Sequence, residues 1–260
     1  MSASPAPAPP PAAKLPTGAR IAMLLRMLAV QGSWNYELLL GPGIGFCAEP
    51  ALRRLPGGRR GEAYREALAR QARYFNAHPY LASLAVGALA RAELDRVPPS
   101  QIERFRTALC GPLGSVGDRL VWAGWLPFCA LLGLTVFGLG APAWVVVVVF
   151  LVVYNTGHLA LRVWGLRTGW QYGMKVASAL GAPVLRRGPT YIARAGALLA
   201  GIALPLVLFR EIGGNHLLLA ATTVASLPIA ALLVRLHGRI EGWRVALVAL
   251  ALLTLYSVTR

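Results

Sequence analysis

The sequence predicts an all-α, polytopic integral membrane protein, with N-terminal amphipathic and re-entrant helices followed by about five C-terminal membrane segments. Three observations lead there. From Leu120 to Leu161 there is no Asp, Glu, Lys or Arg, room for two spans of about twenty residues each. The 260 residues are 56% hydrophobic and only 14% charged, whereas a soluble domain carries roughly a quarter charged residues. The formal net charge is +16. In a soluble protein that surplus would suggest nucleic acid; in a chain this apolar it is the Arg and Lys excess of cytoplasmic loops, and nucleic acid is set aside as a partner.

Residues 1–16, rich in Pro and Ala without an apolar run, read as a disordered tail rather than a secretory signal. Residues 17–260 read as one membrane domain. Its 17–119 part is amphipathic and re-entrant, and its 120–260 part spans the membrane. Cys47, Cys110 and Cys129 are isolated. They lack the spacing of a zinc site or a disulfide framework, so no metal is expected.

Ile21, Leu24, Leu25 and Leu28 recur at helical spacing and predict an amphipathic helix at the membrane surface. In Gln31-Gly-Ser-Trp-Asn-Tyr-Glu37, Ser33 is a candidate helix cap, and Trp34 and Tyr36 suit a half-wet interface. Gly41–Gly45 is expected to interrupt the helix that Ser33 starts. A helix from Glu62 has Glu66 and Arg70 four apart in the favourable order, and it ends at Tyr74-Phe-Asn-Ala-His-Pro-Tyr80, where Pro79 keeps His78 out of the helical region. Leu81–Ala92 is too short to span and reads as a buried helix or one arm of a re-entrant hairpin. Ser100 and Glu103 form a capping-box pattern for a helix through Leu109.

Gly111-Pro-Leu-Gly-Ser-Val-Gly-Asp118 follows and reads as a hinge, with Gly111, Gly114 and Gly117 as its flexible positions. After it come two spans divided by Gly138–Pro142, then a basic connection over Arg162–Arg194. Three further apolar segments are expected at Ala195–Phe209, Leu217–Val234 and Val245–Val258. Strongly basic connections alternate with Gly138–Pro142, which carries no Lys or Arg, and Arg210–His216, which carries one; the alternation predicts a cytoplasmic N-terminus and, after five crossings, an external C-terminus.

No glycine cluster here has the Gly-Lys-Ser/Thr of a phosphate loop or the strand context of a dinucleotide site, so no cofactor is expected. Asp118, at the edge of a span, is costly unless used or paired; the alternative is a helix N-cap. His78 lacks an orienting carboxylate in sequence, and helix termination explains it equally well. Asn155 and His158 lie in the second span, where polar side chains join helices or line a path. No residue stands out as catalytic.

In this order and spacing, Gln31–Glu37, Tyr74–Pro79 and Gly111–Asp118 with Trp122, joined by Asn155 and Gly165-Leu-Arg-Thr-Gly-Trp-Gln-Tyr-Gly173, resemble the IID component of the mannose/fructose/sorbose family of bacterial sugar phosphotransferase systems (PTS). The resemblance runs from about Ala19 to the C-terminus. It implies a multi-pass subunit of the bacterial cytoplasmic (inner) membrane, among membrane lipids, that pairs with a IIC subunit, in a trimer of IIC–IID pairs, to translocate a hexose. IIB, charged on histidine by IIA, phosphorylates the sugar, and the IID chain is not itself phosphorylated. On that reading Asn76, His78, Asp118 and Asn155 belong to a substrate path or its gating, and Asp118 anchors the hinge through Arg119 or faces sugar. Gln31, Trp34, Asn35 and Tyr36 are candidates for the partner interface. The alternative is a sensory or regulatory docking protein that keeps the fold without sugar uptake.

Overall fold

The computed structural model describes residues 15–176, 178, 181–211, 215–217, 220, 221 and 224. Residues 1–14 of the expected tail, nearly all of the Leu217–Val234 segment and the whole of Val245–Val258 lie outside the described residues.

Every regular element among the described residues is helical: α1 (Thr17–Met27), α2 (Gly41–Leu52), α3 (Glu62–Gln71), α4 (Ala82–Leu94), α5 (Pro99–Gly117), α6 (Leu126–Gly138), α7 (Ala143–Tyr172) and α8 (Pro183–Glu211). A π-helical turn, Asp118–Trp125, joins α5 to α6, so Pro99–Gly138 is one unbroken helix. It, Ala143–Lys175 and Leu185–Glu211 are long and apolar enough to cross a membrane.

The centre of the molecule is α4. Its residues from Ala82 to Glu93 are all buried, so this apolar stretch is a buried helix, as a re-entrant arm covered by protein also is. Small side chains let it lie against α7 at backbone distance. A Cβ at Gly87 would run into the Leu166 carbonyl and the Trp170 amide, and Cβ atoms at Gly165 and Gly169 would strike Ser83 and the Leu84 carbonyl. This is the small-residue seam by which helices pack in lipid. Arg91 adds hydrogen bonds to the Trp170 (3.1 Å) and Gln171 (2.6 Å) carbonyls, satisfying groups that the end of α7 leaves open. Helices α6 and α8 pack together, and α2 bridges α1, α3 and α4.

Several local expectations are corrected. Residues 31–40 are turns, and Gly41–Gly45 opens α2 instead of interrupting a helix. The glycines are there for close approach: a Cβ at Gly41 would meet the Arg73 carbonyl and one at Gly43 the Val30 carbonyl. Ser100 and Glu103 make no capping box, since α5 starts from Pro98 without a side-chain cap and Glu103 accepts instead from Arg73 at 2.6 Å. Arg70 pairs with Glu93 (2.9 Å) instead of Glu66. Helix α1 is amphipathic, but it buries Met23 and Met27 and leaves Ile21, Leu25 and Leu28 half exposed. The Arg162–Arg194 connection is mostly helix, with α7 reaching Tyr172 and α8 starting at Pro183.

The Gly111–Asp118 stretch does not break the chain. It is helical throughout, and Asp118 makes no N-cap because the helix already runs through it. What changes there is the pitch. Pro127 has no amide to donate to the Ala123 carbonyl, and its ring crowds that oxygen. The turn before it is the widened π turn, a common answer to such a block. A division of the chain at residues 119 and 120 therefore falls inside a continuous helix.

Candidate functional site

The three polar motifs of the sequence come together around one cavity of about 400 Å³. Its walls are the 28–40 loop, the extended 72–80 segment and the middle of α5 with its π turn.

The loop is shaped by Asn35. Its Oδ1 accepts from the amides of Glu37 (3.1 Å) and Leu38 (2.8 Å), an Asx turn that folds the chain back. The Leu40 amide then donates to the Phe75 carbonyl (3.0 Å) and the Phe75 amide to the Leu38 carbonyl (3.1 Å), stapling loop and extended segment together. Gln31 and Trp34 are thereby presented to the cavity. Tyr36 is 90% exposed and meets Trp34 edge to face at 4.8 Å, outside it.

Helix α3 ends at Gln71, earlier than the expected Tyr74–Tyr80, and the non-helical segment that follows runs to Pro79, which keeps His78 extended. The segment delivers Asn76 and His78 to the same cavity. The His78 amide donates to the Leu113 carbonyl at 3.3 Å, which docks the segment on α5. Gly117 is required there, since a Cβ at that position would fall on the His78 side chain. At Gly111 and Gly114 nothing lies within 4 Å of where a Cβ would sit, and these two residues form the open floor.

His78 is 2% exposed. Its ring lies 5.0 Å from both Tyr80 and Trp122, and its Nδ1 accepts from the Tyr80 amide at 3.2 Å. Neutral His78 then carries its proton on Nε2, and that atom is buried without a partner among the described residues. Burial first, and the Arg162 guanidinium second, push its pKa down to about 4, so the ring is uncharged at neutral pH.

Asp118 faces the cavity and is its one charged lining residue. It makes no ion pair among the described residues. Arg119, about 100° further round the helix, turns the other way. Its Nε donates to the Ser115 carbonyl at 3.3 Å, and it lines a separate cavity with Arg186. An anchor made of Asp118 and Arg119 is therefore not formed. The side chains of Gln31, Asn76 and Asp118 make no hydrogen bond to another described residue.

Asn155 is elsewhere. On α7, its Nδ2 donates to the Leu151 carbonyl (2.6 Å) and its Oδ1 meets His158 Nε2 at 2.8 Å. It touches the site only through neighbours: His158 stacks on Tyr80 at 4.9 Å, and Tyr80 packs on His78. Sequence motifs do not single out this connecting group. Tyr80 and Tyr154 share a hydroxyl hydrogen bond of 2.6 Å. Arg162 sits 4.9 Å over the Tyr80 ring and donates to the Met27 carbonyl. A signal does exist in the spacing of Tyr154, His158 and Arg162, four apart on one face of a helix.

Chemically, the cavity is lined by a carboxylate, two amides, a hydroxyl (Ser115) and a thiol (Cys110), beside the indoles of Trp34 and Trp122, while the His78 Nε2 is buried. It holds no nucleophile–base pair of hydrolytic type, and among the described residues no cluster is suited to a metal ion.

The family model described as the PTS system mannose/fructose/sorbose family IID component matches residues 14–203. The chain is similar to the mannose-specific EIID component of Escherichia coli K12, 29% identical over 64% of this chain and 59% of that protein. It is similar to the sorbose-specific EIID component of Klebsiella pneumoniae, 29% identical over 67% of this chain and 64% of that protein, and to the fructose permease IID component of Bacillus subtilis 168, 30% identical over 61% and 58%. The chain thus spans less than two thirds of the length of each of these relatives. Among solved structures, the fold matches a chain of the mannose transporter ManYZ in complex with microcin E492, with a TM-score of 0.57, 22% identity and coverage of 94% of this chain and 97% of that one. It also matches a membrane protein with a TM-score of 0.66 and 21% identity, covering 95% and 98%.

Proposed function

The chain belongs to the IID components of the mannose/fructose/sorbose family of phosphotransferase systems, and we propose that it is the IID subunit of a bacterial inner-membrane sugar permease. It pairs with a IIC subunit, in a trimer of such pairs, and the pair carries a hexose that cytoplasmic IIB, recharged by IIA, phosphorylates. The chain itself takes no phosphoryl group. Its N-terminus lies in the cytoplasm: the Gly138–Pro142 turn carries no Arg or Lys, while the connection after α7 is flanked by Arg167, Lys175, Arg186 and Arg187, the bias expected of a cytoplasmic side.

The observation that carries this reading is the convergence of Gln31, Asn76, His78 and Asp118 on one cavity inside a membrane-spanning fold. Trp34 and the exposed Tyr36 form the rim that meets the partner. Bending is assigned to the middle of the long helix, where Pro112, the unobstructed Gly111 and Gly114, and the π turn follow one another, the features at which helices yield.

The test is genetic and biochemical together. Deleting the chain should abolish uptake of the system's sugar, and the tagged chain should co-purify with IIC in detergent. Uptake that survives deletion, with altered gene regulation, would favour a sensory docking role. Failure to co-purify would end the subunit reading. Asp118→Asn and Gly114→Leu should each reduce uptake with assembly intact; unchanged uptake in both would remove the gating role of this helix.

A further inference from the structure

We propose that the second cavity, between the π turn and α8, binds the headgroup of an anionic phospholipid, with Arg119, Arg186 and Thr190 taking its phosphodiester and the apolar wall taking the start of its acyl chains. This goes beyond the permease reading and does not depend on it.

Four features point to such a lipid. First, the polar lining is basic and unspent. Arg119, Arg186 and Thr190 line a cavity of about 550 Å³ that no Asp or Glu lines. Arg119 uses only its Nε, on the Ser115 carbonyl. The Arg186 guanidinium and the Thr190 hydroxyl make no hydrogen bond to another described residue. A phosphodiester accepts from guanidiniums and from a hydroxyl. A headgroup ammonium would find no carboxylate, because Asp118 lines the other cavity, so an anionic headgroup is favoured over a zwitterionic one. Second, the remaining lining is apolar and includes Val116, Ala123, Leu185 and Ala193. Charge and hydrocarbon thus meet in one cleft, as they do in a phospholipid.

Third, the depth is right. Arg210 donates to the Phe137 carbonyl and, at 3.3 Å, to the Ala141 carbonyl, which fixes that end of α8 at the Gly138–Pro142 turn. From Arg210 back to Arg186 the helix covers about 36 Å, and from Gly138 back to Arg119 about 28 Å. A hydrocarbon core is about 30 Å thick. Both guanidiniums therefore stand one core thickness from the turn, at the level of lipid phosphates, whichever face is cytoplasmic. Fourth, the cleft lies between two helices long and apolar enough to cross a membrane. Helix α8 packs on the π turn, with Gly188 set against Leu120 and Gly124 against Ile192. Basic pockets between membrane helices are where anionic headgroups lodge. The π turn thus presents Asp118 to one cavity and Arg119 to the other.

The test is native mass spectrometry of the full chain in detergent, titrated with phosphatidylglycerol, phosphatidylethanolamine or phosphatidylcholine of the same acyl chains. Phosphatidylglycerol should bind at least about fivefold more tightly than either zwitterionic lipid. Arg119→Gln and Arg186→Gln, both at exposed side chains, should each weaken it about fivefold, and together about twentyfold or more. Arg187→Gln removes the same charge from the next position of α8, outside the cavity, and should leave binding unchanged. Inorganic phosphate and glycerophosphoglycerol carry the anion without the chains and should bind at least about tenfold more weakly than the lipid. Phosphatidylglycerol should also raise the unfolding midpoint of the native chain and fail to raise that of the double variant, whose circular dichroism stays native. The inference is overturned if phosphatidylglycerol is not preferred, if the double variant binds it as the native chain does, or if Arg187→Gln weakens it as much as the other two, which would make the attraction one of surface charge alone. Equal binding of a chainless phosphate would also overturn it, by making the ligand a soluble anion. Sugar uptake and pairing with IIC enter none of these readings, so the permease proposal stands or falls separately.

Discussion

Glu49 and His78 show how differently two buried titratable residues are used. Glu49 is 7% exposed and accepts from Arg26 (2.8 Å), Arg53 (2.6 Å), Arg59 (3.2 Å) and the Tyr64 hydroxyl (3.0 Å). Burial raises its pKa, yet the hydrogen bonds from Arg53 and Tyr64 outweigh it and hold the carboxyl down to about 2. It ties α1, α2 and α3 together. Replacing it with Gln leaves three guanidiniums around a neutral amide and should destabilise the protein by about 2–3 kcal/mol, read as a lower unfolding midpoint in detergent. His78 lacks such compensation. Its folded pKa is depressed from 6.5 to about 4, so the unfolded chain binds a proton that the folded one refuses. Stability is full above pH 6.5 and falls as the pH drops toward about 4. His78→Gln should flatten thermal stability across that window, while the Glu49 decline from 4.5 toward about 2 remains. The sequence points to His78 through the proline after it. It holds no sign that Trp122 lies against the ring, because that contact joins two segments far apart in the sequence.

At the scale of elements, glycine spacing proves more telling than charge. The α4–α7 seam depends on Gly87, Gly165 and Gly169, each pressed on the facing backbone. Gly169→Val should force the helices apart and cost about 1–3 kcal/mol or more, visible as lost expression of folded protein, whereas Gly114→Ala, facing open space, should be neutral. The sequence shows which connections are basic but not which carbonyls the individual guanidiniums meet. In the fold Arg91 closes the end of α7, and Arg106 donates to the Gln71 (2.9 Å) and Arg73 (3.0 Å) carbonyls at the end of α3. A guanidinium with five donors can satisfy several open carbonyls at once, which no periodicity reveals. Arg91→Ala should therefore loosen the C-terminal turn of α7, measurable as faster hydrogen exchange from Gly169 to Tyr172.

Among the described residues, a buried α4 is wrapped by N-terminal helices and packs beside helices that are long and apolar enough to cross a membrane. Orientation is checked by single-cysteine labelling in intact cells. With Cys110 replaced by Ser, a cysteine at Gly140 should react with an impermeant reagent from outside, and one at Arg59 should react only after lysis. The reverse pattern would invert the assignment. The native Cys47 will not interfere, since burial pushes its thiol up to about 12 despite nearby Arg162 and Arg26.

The sequence alone determined the helical class, the membrane setting, the family and the three polar motifs, because hydrophobic run length, charge depletion and local motif order are properties of the chain itself. Tertiary structure decided what the motifs do together. It placed the Gly111–Asp118 stretch inside an unbroken helix, as one wall of a cavity. It separated Asp118 from Arg119, because neighbours on a helix point about 100° apart. And it kept Asn155 out of the cavity, because the Tyr80 ring stands between α7 and His78.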